Sequence, residues 1–175
     1  FICSKLAVIG SKSSVAALAT LLGKPEFATA PRNALEAIPA SQATKALRDS
    51  LTKLAGSTKV GVINSLGARR DADSVRALST LMQEKDAGVA AAAMAALGDI
   101  ATGRAVKVLR SFQPKAPEGL RLKLANALLV CAERFAAAGK RSDAKALYEA
   151  LANASQPKHV KLAASLGLQR VSAPS

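Results

Sequence analysis

The residue types that most often carry chemistry in proteins are few in this sequence and are not arranged for catalysis. His159 is the only histidine, and it lies in Gln-Pro-Lys-His-Val-Lys without a nearby cysteine or acidic pair for metal binding or acid–base work. No serine lies in a Gly-x-Ser-x-Gly turn, and the phosphate-binding patterns GxGxxG and GxxxxGK[ST] do not occur. Glu133, Asp143 and Glu149 fall in separate structural contexts and do not suggest paired-carboxylate chemistry. We therefore expect no enzyme activity, metal or cofactor, and a surface position for His159.

The two cysteines, Cys3 and Cys131, are too few for a disulfide framework and lack the CxxC spacing of metal or redox motifs. We expect both to be free thiols in the core. No apolar run approaches the length of about 18 residues that a membrane-spanning helix needs. The sequence therefore predicts a soluble segment, and its start at Phe1 without a signal segment suggests a fragment of a longer protein.

The basic residues, in contrast, follow an order. Lysine and arginine number 25 against 12 acidic residues, giving a net charge of +13 that suits nucleic acid, an anionic surface or an acidic protein. The sequence contains a repeat, and the same position of that repeat is basic in four successive copies: Lys45, Arg76, Lys107 and Lys145. Neighbouring helices lie about 8–10 Å apart, so these cations predict a basic stripe that faces an anionic partner. The alternative is that lysine and arginine merely solubilise an exposed helix.

A second candidate surface lies on the other helix of each repeat. Arg32, Asn33 and Asn64 occupy equivalent or adjacent places there, and 90–93 is a run of alanines. A groove with a floor of small residues and polar side chains at intervals predicts binding of a peptide or a helix. Alanine chosen only for helix propensity and packing explains the same run equally well.

These positions belong to a repeat. Apolar anchor residues recur at intervals of 29, 31, 31, 38 and 31, namely Leu6, Leu35, Leu66, Leu97, Phe135 and Leu166. Nine residues after the first five anchors stand Val15, Thr44, Val75, Val106 and Ala144, and three further on Leu18, Leu47, Leu78, Leu109 and Leu147. Turn-forming residues lie between the two sets. This pattern predicts that each repeat folds into two amphipathic helices joined by a tight turn.

The predicted helix pairs are about 13–22 with 26–37, 41–54 with 58–68, 72–83 with 87–99, 103–112 with 118–138, and 141–153 with 157–171. Residues 1–9 predict an orphan second helix. The 38-residue interval holds two prolines near residues 113–119, which indicates a longer turn and a longer following helix. This insertion is either a harmless loop extension or a loop that contacts a partner. We expect an all-α right-handed superhelix of about five hairpins forming a single domain over residues 1–175.

The segment from Leu66-Gly through Asp71 to Val75-x-Ala-Leu78 resembles the HEAT repeat, and Leu97-Gly to Leu109 repeats the pattern. The resemblance is closest to short bacterial HEAT repeats of the phycobilin-lyase type, and Gly139 to Leu151 looks like a tetratricopeptide hairpin. It implies that the turn aspartate, Asp71, bonds backbone N–H groups of a neighbouring turn.

The resemblance implies an armadillo-like helical scaffold that binds proteins or spaces domains. The alternative function is electrostatic binding of an anionic polymer such as nucleic acid, although the near absence of aromatic residues removes platforms for base stacking. Partners are therefore expected to be proteins or neighbouring domains of the parent chain. The cell compartment stays open.

Overall fold

Alanine and leucine at helical spacing give this chain its secondary structure, because both favour helices and both pack well where helices approach closely. In the computed structural model, the described residues are Lys5, 12–24, 26–152 and 156–173. Within them every regular element is helical, so the all-α fold is confirmed. The predicted orphan helix at 1–9 lies outside the described residues except for Lys5, which is helical.

The α-helices in the described ranges are α1 (Lys12–Leu22), α2 (Thr29–Ala37), α3 (Ser41–Ser50), α4 (Gly56–Ala68), α5 (Val75–Leu81), α6 (Ala87–Ile100), α7 (Gly103–Phe112), α8 (Glu118–Ala137), α9 (Arg141–Leu151) and α10 (Lys158–Ser172). Short 3-10 turns at Ala72–Ser74 and Gln113–Lys115 precede α5 and follow α7. The second turn and the 20-residue α8 take up the surplus of the long interval, as the two prolines predict.

The helices form two compact units, Phe1–Ala93 and Met94–Ser175, and each is described by itself. In the first, α1 packs on α2 and α3, and α4 packs on α2 and α3. In the second, α8 packs on α7, α9 and α10, and α9 packs on α10. Each unit thus contains consecutive helix pairs in which second helices also contact one another, as repeat packing requires. A single domain over 1–175 and a HEAT superhelix stay predictions.

The core confirms the predicted register with one exception. Leu18, Leu47, Leu78, Leu109 and Leu147 are all buried, as are the anchors Leu35, Leu66, Leu97 and Phe135. Leu166 is 50% exposed, so the prediction that it is a buried anchor is wrong. In α10 the buried positions are Val160, Ala164 and Gly167, because Gly167 lies against the ring of Tyr148, where a Cβ atom would overlap the ring.

The turns between repeats share a backbone feature that the sequence did not predict. Four residues after an anchor the chain adopts a left-handed conformation at Arg70, Ala101 and Gly139, with φ of 51°, 46° and 75°. At Arg70 and Gly139 the next amide, that of Asp71 or Lys140, donates to the carbonyl of the anchor residue, as in a Schellman helix end. The repeat is therefore visible in the backbone as well as in the core.

Candidate partner-binding surfaces

The three residues predicted to line a groove in the second helices separate into two groups. Asn33 on α2 and Asn64 on α4 are exposed, and neither side-chain amide has a hydrogen-bond partner among the described residues. Arg32 is only half-buried and is engaged within the unit, where its Nη1 donates to Ser65 Oγ at 2.8 Å and to Glu36 Oε2 at 3.3 Å. Arg32 therefore holds α2 against α4, while the two asparagines face solvent.

The Arg32–Ser65 hydrogen bond also places the two asparagines on one side. Short turns reverse the chain before and after α3, so α2 and α4 run in the same direction. Arg32 points towards α4 and buried Ser65 points towards α2, while Asn33 follows the first and Asn64 precedes the second. A step of one residue turns a helix by about 100°, so these opposite steps bring both amides to the same face.

That face carries little charge. We call it the neutral face and define it by its solvent-accessible residues: Thr29, Asn33, Ala37, Val60, Asn64 and Ala68. The charged side chains of α2 and α4 are Arg32, Glu36 and Lys59, and all three are paired. Arg32 pairs with Glu36, and Lys59 Nζ lies 2.9 Å from Glu84 Oε1. No charge of these two helices is thus left without an opposite partner.

The predicted basic stripe divides differently. Its members are all exposed, with Lys45 and Arg76 on α3 and α5 of the first unit and Lys107 and Lys145 on α7 and α9 of the second. Lys45 Nζ lies 2.5 Å from Asp49 Oδ2, and Lys145 Nζ lies 3.9 Å from Glu149 Oε1, each within its own helix. Arg76 and Lys107 have no acidic partner in the described ranges. Two of the four cations are therefore partly neutralised.

Lys107 belongs to a cluster of basic residues on α7 that the predicted basic stripe does not include. Arg104, Lys107 and Arg110 are exposed on α7 at spacings of three residues, which places them on one broad helix face. None forms an ion pair with a described acidic residue. We call this the α7 basic face. The signal that could have revealed it is the stretch 100–117, which contains four basic residues and no acidic one.

Other cations near the turns serve the fold. The guanidinium of Arg69 donates from Nη1 to the carbonyls of Leu35, Glu36 and Ile38 at 3.1, 2.6 and 2.7 Å, so it caps the C-terminal end of α2. Burial lowers the pKa of Arg69, and the nearby charges of Asp71 and Glu36 oppose that shift. This role of Arg69 is not visible in the local sequence, because its acceptors lie 25 to 34 residues away along the chain.

Asp71 departs from the expectation that the family resemblance carried. Its carboxylate accepts from Arg48 Nη1 at 2.5 Å and from Ser74 Oγ, and no bond to a backbone N–H of a neighbouring turn is present in the described structure. Arg48 on α3 also lies 3.2 Å from Asp73. The turn aspartate therefore ties its turn to the preceding helix pair through an arginine side chain.

Candidate catalytic and metal residues are not brought together. His159 is exposed, and no group of three or more His, Cys, Asp or Glu side chains suited to a metal forms among the described residues. Cys131 is a buried free thiol, as predicted, with Sγ at 3.7 Å from the carbonyl of Gly98. Burial raises the pKa of its thiol to about 12. Cys3 lies outside the described residues.

No helix of the described ranges is long and apolar enough to cross a membrane. Comparison of the sequence with protein-family models and with curated proteins finds no match. The fold defines an all-α chain of paired helices, and a HEAT repeat stays a prediction from the sequence motifs.

Proposed function

We propose that this chain is a non-catalytic protein-interaction module of the HEAT type, and that it binds an extended peptide segment of its partner on the neutral face. The observation that carries the proposal is the pair of unbonded, exposed amides of Asn33 and Asn64 on one side of two adjacent helices whose charges are all paired. Asparagine can both donate to and accept from a peptide group, so each amide suits a backbone.

The spacing of the two amides supports an extended ligand. Adjacent helices lie about 8–10 Å apart, and an extended chain advances about 3.3 Å per residue. A peptide that crosses α2 and α4 would therefore present a backbone group to Asn33 and another to Asn64 about three residues later. The small neighbours Ala37 and Ala68 allow the backbone to approach closely.

Site-specific photocrosslinking tests this proposal. A photoreactive residue in place of Asn33 or Asn64 should give discrete covalent adducts in the cells that produce the protein, and protease but not nuclease should remove them. The matched control is the exposed Thr80 on α5 of the same unit, which should give no such adducts. Equal labelling at all three positions would contradict the proposal. With the partner identified, Asn64→Ala should weaken binding about fivefold, since a net hydrogen bond contributes about 1 kcal/mol.

A second candidate function, binding of an anionic polymer, is favoured by the α7 basic face. Three exposed cations without acidic partners can contact phosphates directly, whereas Lys45 and Lys145 must first leave their own carboxylates. The triple change Arg104→Gln, Lys107→Gln and Arg110→Gln should reduce the salt slope of binding to a model duplex by about 2–3. The double change Lys45→Gln and Lys145→Gln should change it less. Absence of salt-dependent binding by the unaltered chain would exclude this function.

A further inference from the structure

A cavity of about 530 Å³ lies among α8, α9 and α10 of the second unit, and its lining shares no residue with either surface described above. Its polar lining consists of Glu133, Arg141, Tyr148 and Arg170, and its apolar lining includes Ala136 and Val171. Concave sites of about 300–1,000 Å³ with apolar walls and a few convergent polar groups are the usual form of small-ligand sites.

Tyr148 is the least expected part of this lining. Its side chain belongs to α9 and is 1% exposed, and its ring is fixed against Gly167 of α10. The phenolic hydroxyl has no hydrogen-bond partner among the described residues and is itself accessible, since the one buried side-chain polar atom without a partner in the described structure is Arg134 Nε. The residue lines the cavity, so the cavity is where a partner for that hydroxyl can lie.

Charges of both signs surround the hydroxyl. Burial raises the pKa of Tyr148, the charge of Glu133 raises it further, and the charge of Arg170 lowers it, so both charges act on the phenol. Glu133 and Arg170 form no ion pair in the described structure. Arg141 is held at the rim, where its Nη2 donates to the carbonyl of Ala173 at 2.9 Å.

We propose that this cavity binds a carboxylate that lies next to an N–H group and a small apolar side chain, which is the chemistry of a free amino acid or of a peptide C-terminus. Arg170 attracts the carboxylate, the Tyr148 hydroxyl donates to it, and the Glu133 carboxylate accepts from the N–H group. Ala136 and Val171 contact the side chain. A purely anionic ligand would leave Glu133 unfavourably placed, and a purely cationic one would face Arg141 and Arg170.

The chain provides its own probe. Tyr148 is the only tyrosine and tryptophan is absent, so intrinsic tyrosine fluorescence reports on this cavity alone. L-leucine, N-acetyl-Ala-Leu and N-acetyl-Ala-Leu amide are titrated into the full chain. The two probes with a carboxylate should change the emission saturably with a Kd below about 1 mM, and the amide should bind at least tenfold more weakly, since a charged hydrogen bond contributes about 1.5–3 kcal/mol.

The two sources of the carboxylate are separated by the tighter probe, which is leucine for an amino-acid site and the acetylated dipeptide for a C-terminus site. Arg170→Gln should weaken both carboxylate probes about tenfold, whereas Arg104→Gln on α7 should leave them unchanged. Tyr148→Phe, measured by calorimetry, should weaken them about threefold while circular dichroism stays unaltered. No saturable response of the folded chain, or equal binding of acid and amide, would overturn the proposal.

Discussion

The two units use their positive charge differently. Residues 1–93 carry 12 basic and seven acidic side chains, and residues 94–175 carry 13 and five. In the first unit basic side chains join helices, as Arg69 does at the end of α2 and Arg48 does at Asp71. In the second, Arg134–Asp99 at 2.6 Å is the ion pair that links helices among the described residues, and the α7 basic face points into solvent.

Close approach of helices contributes more to helix packing in the second unit than in the first. A Cβ atom on Gly98 would lie 2.9 Å from the carbonyl oxygen of Ala127, and one on Gly167 would overlap Tyr148. Small residues thus let these helices approach closely, and the Arg134–Asp99 ion pair bridges α6 and α8 beside that contact. Arg48 and Arg110 both lie 13 residues after an anchor, so one repeat position carries a cation that stabilises the fold in the first unit and a cation that stays available to a ligand in the second.

The largest expected effect concerns the buried leucines that both units share at equivalent repeat positions. Leu78→Ala and Leu109→Ala remove fully buried leucines from equivalent repeat positions, so each should lower the free energy of unfolding by about 2–5 kcal/mol. Denaturant titration measures the loss. The control Thr80→Ala, at an exposed site on α5, should change stability by less than about 0.5 kcal/mol. A loss that small at either leucine would mean that the repeat register is wrong there.

The next prediction contrasts the arginines directly. Arg69→Met keeps an apolar stem and removes the guanidinium that bonds three carbonyls at the end of α2, so we expect a loss of about 2–3 kcal/mol. Arg110→Met removes an exposed cation without an ion pair and should change stability by less than about 0.5 kcal/mol. Thermal unfolding of both variants checks this. Equal losses would remove the distinction between structural and available cations.

The role of close approach in the second unit is tested at Gly167. Gly167→Ala places a methyl group in the Tyr148 ring and should cost about 1–3 kcal/mol. Adding Tyr148→Leu should make the double variant more stable than the sum of the single losses predicts, because the two residues are in contact. Gly119→Ala on α8 is the matched control, since a Cβ there meets open space. Its stability should stay the same or rise. Strict additivity would show that Gly167 is not confined by Tyr148.

Local periodicity predicted the helices and most of the core, because burial of Leu47 or Leu78 follows from spacing within one helix. The rule failed at Leu166. Whether Leu166 or Gly167 is the buried residue depends on a tyrosine in the preceding helix. The candidate surfaces were predicted less completely. The pairing of Lys45 with Asp49 was readable at four-residue spacing, but the bond of Arg32 to Ser65 and the cavity at Tyr148 require contacts between distant segments.

The smallest expected effect concerns the turn that both units contain. Ala101 adopts φ of 46°, a left-handed conformation that disfavours any residue with a Cβ atom, and Arg70 holds the equivalent position in the first unit at 51°. Ala101→Gly and Arg70→Gly should therefore each raise stability by about 0.5–1 kcal/mol. The control Ala95→Gly, at an exposed position inside α6, should instead lower it by about 1 kcal/mol, because glycine is a poorer helix former. Differential scanning calorimetry resolves the opposite signs. If Ala101→Gly also destabilised the chain, the left-handed turn would not be the feature that joins successive repeats, and the equivalence of the two units at this position would fail.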